Sequence, residues 1–161
     1  MSKFRPIEGS IDVGDASIAI VVSRWNSQIT ENLLKGALAA LERQGVSDDN
    51  ISVYRVPGAF ELPLAAQKVA EDTDVDAVIA LGCVIRGDTP HFDYVCSECT
   101  RGIGHVGLDL GLPIGFGLLT CDDLAQAEAR SGDNRENKGE EAALTVLEMI
   151  SLLDQIGDDD E

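Results

Sequence analysis

Ala77-Val-Ile-Ala-Leu81 is a short run without a polar residue. Gly82-Cys-Val-Ile-Arg-Gly-Asp-Thr-Pro-His91 leads from it into residues 92–110, where apolar positions recur at helical spacing. A brief continuous apolar run with β-branched members predicts a strand covered on both faces, and the helical pattern after it predicts a crossover. The same strand–loop–helix unit recurs outward in both directions. Strands are expected at 17–22, 51–54 and 114–119, and helices at 29–44, 62–71, 124–130 and 140–156. Residues 29–44 set Leu33, Leu34, Ala37, Leu38 and Leu41 on one face, and Gly45 is placed to stop that helix. Alternation at this spacing implies right-handed crossovers. The expected fold is α/β, a three-layer α/β/α sandwich around a four-stranded parallel sheet.

The chain has 161 residues, a length for one domain, 1–161, able to bury roughly 70% of its unfolded surface. Residues 1–15 read as an N-terminal extension, with an edge strand around residues 10–13 that adds to a neighbouring subunit. Residues 157–161 read as a frayed acidic tail. An apolar content of 44% excludes general disorder, and no apolar run reaches the ~18 residues of a membrane span. Residues 1–11 carry charges and Pro6 where a secretory leader needs an apolar stretch, so a cytoplasmic location is expected. The formal charge of −17 argues against nucleic acid and anionic membranes as partners and reads otherwise as a solubility device. Cys83, Cys96, Cys99 and Cys121 are expected as reduced thiols.

Two motifs are set aside. Gly102-Ile-Gly-His-Val-Gly107 fits a dinucleotide fingerprint but lies within a helical pattern, where small residues serve close packing. Cys96-Ser-Glu-Cys99 also lies within that helix, with no second cysteine pair or histidine pair to complete a zinc site.

Ligands of open parallel sheets sit beyond the strands' carboxyl ends, which directs attention to residues 23–27, 56–61, 82–91 and 120–123. At Asp88-Thr-Pro-His91, free N–H groups at a helix start suit a phosphate, although Asp88 or Thr89 could equally be a plain cap. His91 beside this turn could shuttle protons near neutral pH. Trp25, Phe60 and Phe116, from a chain with few aromatics, suggest stacking on a planar heterocycle. Val56-Pro-Gly-Ala-Phe-Glu61 supplies backbone donors and a carboxylate for its polar edge. Arg130 and Lys138 form a local basic pair in an acidic chain, a candidate anion site.

These motifs together resemble the lumazine synthase family of riboflavin biosynthesis. The resemblance is carried by Arg24-Trp-Asn26, Val56-Pro-Gly-Ala-Phe-Glu-Leu-Pro63, residues 81–95, Pro113-Ile-Gly-Phe-Gly-Leu-Leu-Thr120 and Asn137-Lys-Gly139, in the family's order and spacing. It implies a flavodoxin-like fold and a transferase without metal or organic cofactor. That enzyme condenses 5-amino-6-(D-ribitylamino)uracil with 3,4-dihydroxy-2-butanone 4-phosphate to 6,7-dimethyl-8-ribityllumazine, releasing phosphate and water. By resemblance, Trp25 stacks on the pyrimidine with Asn26 beside it. Ala59, Phe60 and Glu61 bind the ring edge and ribityl chain, and Cys83, Val84 and Ile85 continue that wall. Asp88 and Thr89 present backbone to the phosphate, Arg130 clamps it near Lys138, and His91 is the catalytic proton-transfer residue. A neighbouring subunit would donate Phe116 and Arg130 within a homopentamer. An icosahedral shell of pentamers is left open, because Glu136 replaces the second glycine of the turn that shell-forming members carry. Two other readings remain: a non-catalytic flavin- or lumazine-binding protein, and the related pentameric type of riboflavin synthase. His91, Glu61 and Arg130 together favour the lumazine-forming enzyme over ligand storage.

Overall fold

Strands β1 (Ile18–Ser23), β2 (Ile51–Val56), β3 (Ala77–Ile85) and β4 (Ile114–Cys121) form one parallel sheet in the order β2-β1-β3-β4, in a computed structural model that describes residues 4–158. The helices are α1 (Ser27–Arg43), α2 (Leu62–Asp72), α3 (His91–Leu110), α4 (Leu124–Ala129) and α5 (Lys138–Asp158). Side chains alternate across a strand, so each strand feeds two cores. Ile18, Ile20, Val22, Ile79 and Leu81 pack with α1 and α5. Ala19, Val21, Val78 and Ala80 face α2 and α3. The sandwich expected from the apolar runs is the observed architecture, and no described helix is long and apolar enough to cross a membrane.

Gly45 ends α1 as its position suggested. It takes a left-handed φ of 84°, its N–H donates to the Glu42 carbonyl (3.0 Å), and Val46 N–H reaches back to Leu41 (3.0 Å). The third strand departs from expectation. Cys83, Val84 and Ile85, assigned to the following loop, are its last residues and pair with Leu119, Thr120 and Cys121. Gly82 did not stop the strand, because a side chain there would press on Leu62 (2.9 Å) and Leu118 (3.1 Å) and the ladder continues past it. The last helix begins two residues early. Asn137 Oδ1 accepts from Gly139 N–H (2.8 Å) and Glu140 N–H (3.1 Å), which caps it.

Residues 10–13 join no strand among the described residues; their neighbourhood is tied instead to α5. Ser10 N–H donates to Ser151 Oγ (2.9 Å), and Gln155 Nε2 donates to the Glu8 carbonyl (2.9 Å). Gly9 crosses α5 so closely that a methyl on it would strike the Glu148 carbonyl. At the other end α5 runs through Gly157 and Asp158, because extending a formed helix adds a hydrogen bond per residue. The rest of the expected tail, 159–161, lies outside the described residues. Within α3, a methyl built on Gly102 would come within 2.7 Å of Pro63 and one on Gly107 within 3.1 Å of Ile114, the close approach inferred for the glycine motif. Gly104 faces open space.

Candidate functional site

At the carboxyl ends of β1, β2 and β3 lies a cleft of about 710 Å³. The turn after β1 contributes Trp25 and Asn26, and the segment after β2 contributes Ala59, Phe60 and Glu61. The end of β3 supplies Cys83, Val84 and Ile85. From α3 come His91, Tyr94, Val95, Ser97 and Glu98. Nine sequence-predicted residues therefore meet at one place: Trp25, Asn26, Ala59, Phe60, Glu61, Cys83, Val84, Ile85 and His91.

Local hydrogen bonding explains how each is held. Arg24 N–H donates to the Val56 carbonyl (2.8 Å) and Trp25 N–H to the Pro57 carbonyl (3.0 Å), lashing the first turn to the end of β2. Asn26 is left-handed at φ 63°, a conformation asparagine tolerates better than most residues. Its Nδ2 donates to the Cys83 carbonyl at 2.9 Å, so Asn26 braces β3 from within the cleft wall. Trp25 and Phe60 stay 64% and 60% exposed, leaving ring surface free for a planar ligand. Cys99 Sγ donates to the Ala59 carbonyl (3.0 Å) and fixes the segment that carries Phe60 and Glu61.

Glu61 carries the chief electrostatic feature. Its Oε2 is buried with no hydrogen-bond partner among the described residues, although the residue lines the cleft. A buried unpaired acceptor is costly, and a ligand N–H or O–H can supply what is missing. The thiols behave differently. Burial pushes Cys83 and Cys99 up to about 12, helped in the first case by Cys121 and in the second by Cys96. Both are neutral groups, Cys83 in the cleft wall and Cys99 fully buried against the Ala59 carbonyl, and all four cysteines are free.

His91 opens α3 with an exposed side chain, and its N–H donates to Thr89 Oγ1 at 3.4 Å. Pro90 holds the N-cap position without a side-chain bond, so neither Asp88 nor Thr89 is the N-cap residue, and Thr89 meets the first helical N–H from one position earlier. Both are exposed, in the turn beside the cleft and not in its lining. Arg86 braces that turn: Nε contacts Asp122 (3.0 Å), Nη2 contacts Asp93 (3.5 Å), and the guanidinium lies 4.4 Å from the centre of Phe92. The bond to Asp122 leads the interactions that hold Arg86 above the ordinary arginine pKa.

Phe116, Arg130 and Lys138 are brought together elsewhere. They line a second cleft of about 260 Å³ with Thr120 and Glu141. Arg130 Nη1 donates to the Gln126 carbonyl (2.9 Å), Lys138 N–H donates to the Arg130 carbonyl (2.9 Å), and Lys138 Nζ pairs with Glu141 (2.9 Å). Phe116 lies opposite Ala80 in the first half of β4, not at the strand end. One chain thus presents two separate clefts, one aromatic and carboxylate-bearing, the other holding Arg130 and Lys138. Sequence reasoning passed over Tyr94, Val95, Ser97 and Glu98. A helical signal was available, because Tyr94, Val95 and Glu98 follow His91 at i+3, i+4 and i+7. A family model described as 6,7-dimethyl-8-ribityllumazine synthase matches residues 15–154, a span that includes both clefts.

Proposed function

Given that this chain belongs to the 6,7-dimethyl-8-ribityllumazine synthase family, we propose that it joins 5-amino-6-(D-ribitylamino)uracil to 3,4-dihydroxy-2-butanone 4-phosphate. The products are 6,7-dimethyl-8-ribityllumazine, phosphate and water. One observation carries the assignment of the larger cleft: a buried carboxylate oxygen of Glu61 lacks a partner in a cleft flanked by two exposed rings and His91. Trp25 stacks on the pyrimidine, and Phe60 and Glu61 take its edge and ribityl hydroxyls. The backbone at Asp88 and Thr89, on the turn beside His91, receives the phosphate.

The amine attacks the ketone and the carbinolamine loses water to an imine. Loss of the C3 proton and of phosphate then gives an enol that tautomerises to a new ketone, and the ribityl-bearing nitrogen attacks that carbonyl and closes the ring with a second dehydration. Each step moves a proton, which the His91 imidazole relays at the mouth of the cleft. Holding the two reactants in register supplies most of the acceleration, up to ~7–11 kcal/mol in well-oriented cases.

Arg130 and Lys138 complete the phosphate site from a second copy, because on one chain they line a cleft of their own. The apolar surface around Leu108, Phe116 and Leu153, exposed at 89%, 49% and 38%, suits burial between copies and supports a homopentamer. The protein acts in the cytoplasm.

Mixing the two substrates with the protein and following lumazine fluorescence and phosphate together tests the assignment. Matched appearance of both supports it. Riboflavin formed from lumazine alone, with no phosphate, would move the chain to the dismutating synthase. Binding without turnover would leave a carrier.

A further inference from the structure

We propose that Gly58 is the positioning residue for Trp25, a bare seat on which the edge of the indole rests and which fixes the wall of the larger cleft. Its consequence for substrate binding rests on the pyrimidine reading above. Gly58 is buried and extended, at φ −138° and ψ −179°, so its backbone does not call for glycine. What calls for glycine is the ring above it. A methyl built on Gly58 would lie 2.5 Å from Cζ3 of Trp25, closer still to Cε3, and 3.3 Å from Cδ2. All three are atoms of the one indole, and real side chains do not approach to 2.5 Å.

The backbone beneath the ring has little freedom to yield. Trp25 N–H is bonded to Pro57 and Arg24 N–H to Val56, while Asn26 is held to the Cys83 carbonyl. A methyl at residue 58 therefore displaces the ring by side-chain rotation and not by a shift of the turn. The ring leaves its stacking position, and a ligand plane resting on it loses its support. Gly58 acts through Trp25 and need not touch the ligand itself.

Trp25 is the sole tryptophan in the chain, so indole fluorescence reports on it alone. Gly58→Ala is expected to raise acrylamide quenching of that emission about twofold and to weaken binding of the ribitylaminouracil on the order of tenfold. The KM for the butanone phosphate should stay within about twofold. In the Trp25→Phe background, where a narrower ring can turn clear of the methyl, Gly58→Ala should cost less than about threefold. Thermal unfolding needs no ligand: Gly58→Ala lowers the midpoint of the wild-type chain but leaves that of the Trp25→Ala chain unchanged. A variant that folds only in the Trp25→Ala background supports the seat as well. Equal losses in every background, or quenching that Gly58→Ala does not change, would overturn it. A wild-type protein that ignores the pyrimidine would sink the functional reading, while quenching and unfolding would still decide the role of Gly58.

Discussion

His91 and Arg130 stand in different clefts, and their substitutions should separate in kinetics. On the proposed phosphate clamp, Arg130→Ala removes a charge-assisted contact of about 1.5–3 kcal/mol. If that contact binds substrate and transition state alike, the KM for the butanone phosphate rises roughly 10- to 150-fold at constant kcat. His91→Ala should lower kcat toward the low end of the ~10²–10⁴-fold range of acid–base catalysis, with KM little changed. Steady-state kinetics with each substrate varied in turn distinguishes the two. Glu61 yields a prediction of opposite signs. Glu61→Met removes a buried acceptor that lacks a partner, so the ligand-free protein should gain about 1 kcal/mol while pyrimidine affinity drops tenfold or more. Calorimetric melting and titration check both signs, and a loss of ligand-free stability would mean that Oε2 is satisfied in solution.

The α1–α5 contact is pinned by Asn137, which is 4% exposed and uses its whole amide. Nδ2 donates to the carbonyls of Asn32 (3.2 Å) and Gly132 (3.0 Å), while Oδ1 caps α5. Asn137→Ala should cost about 2 kcal/mol, lowering the melting midpoint by roughly 4–8 °C. The thiols on β3 and α3 add a pH dependence. Cys83 and Cys99, both near 12, sit above their unfolded value of 9.0. The folded chain therefore keeps protons that the unfolded chain releases. Their contribution is present below about pH 9 and is lost as pH rises toward 12. Urea midpoints should fall across that window, and Cys83→Ala should flatten the decline.

The elements were legible where one local force decides them. Gly45 stops α1 through its own φ, and five apolar residues at period 3.6 define the face that α1 buries. The end of β3 was not legible, because Cys83–Ile85 become strand only through pairing with β4, a contact distant in sequence. The site divides along the same line. Trp25, Phe60 and Glu61 sit on loops next to their strands, so their convergence follows from sheet order. The unpartnered Oε2 of Glu61 and the seat beneath Trp25 depend on three-dimensional packing that no spacing reports.

At the scale of the whole molecule, the proposed pairing of the two clefts across copies would make the active unit larger than the chain. Because His91 and Arg130 would meet only across a boundary between copies, two crippled chains can repair each other. Pure His91→Ala and pure Arg130→Ala assemblies each carry one defect at every site. Unfolding the two together in equal amounts and refolding them as hybrids should give about a quarter of sites with both residues intact and, with butanone phosphate held well below the KM of the Arg130 variant, about a quarter of wild-type activity. If each site instead drew both residues from one chain, no hybrid site would hold an intact pair and mixing would restore nothing. On the shared-site proposal the division predicts interallelic complementation: two individually defective copies of the gene, expressed together, sustain turnover at substrate levels where neither does alone.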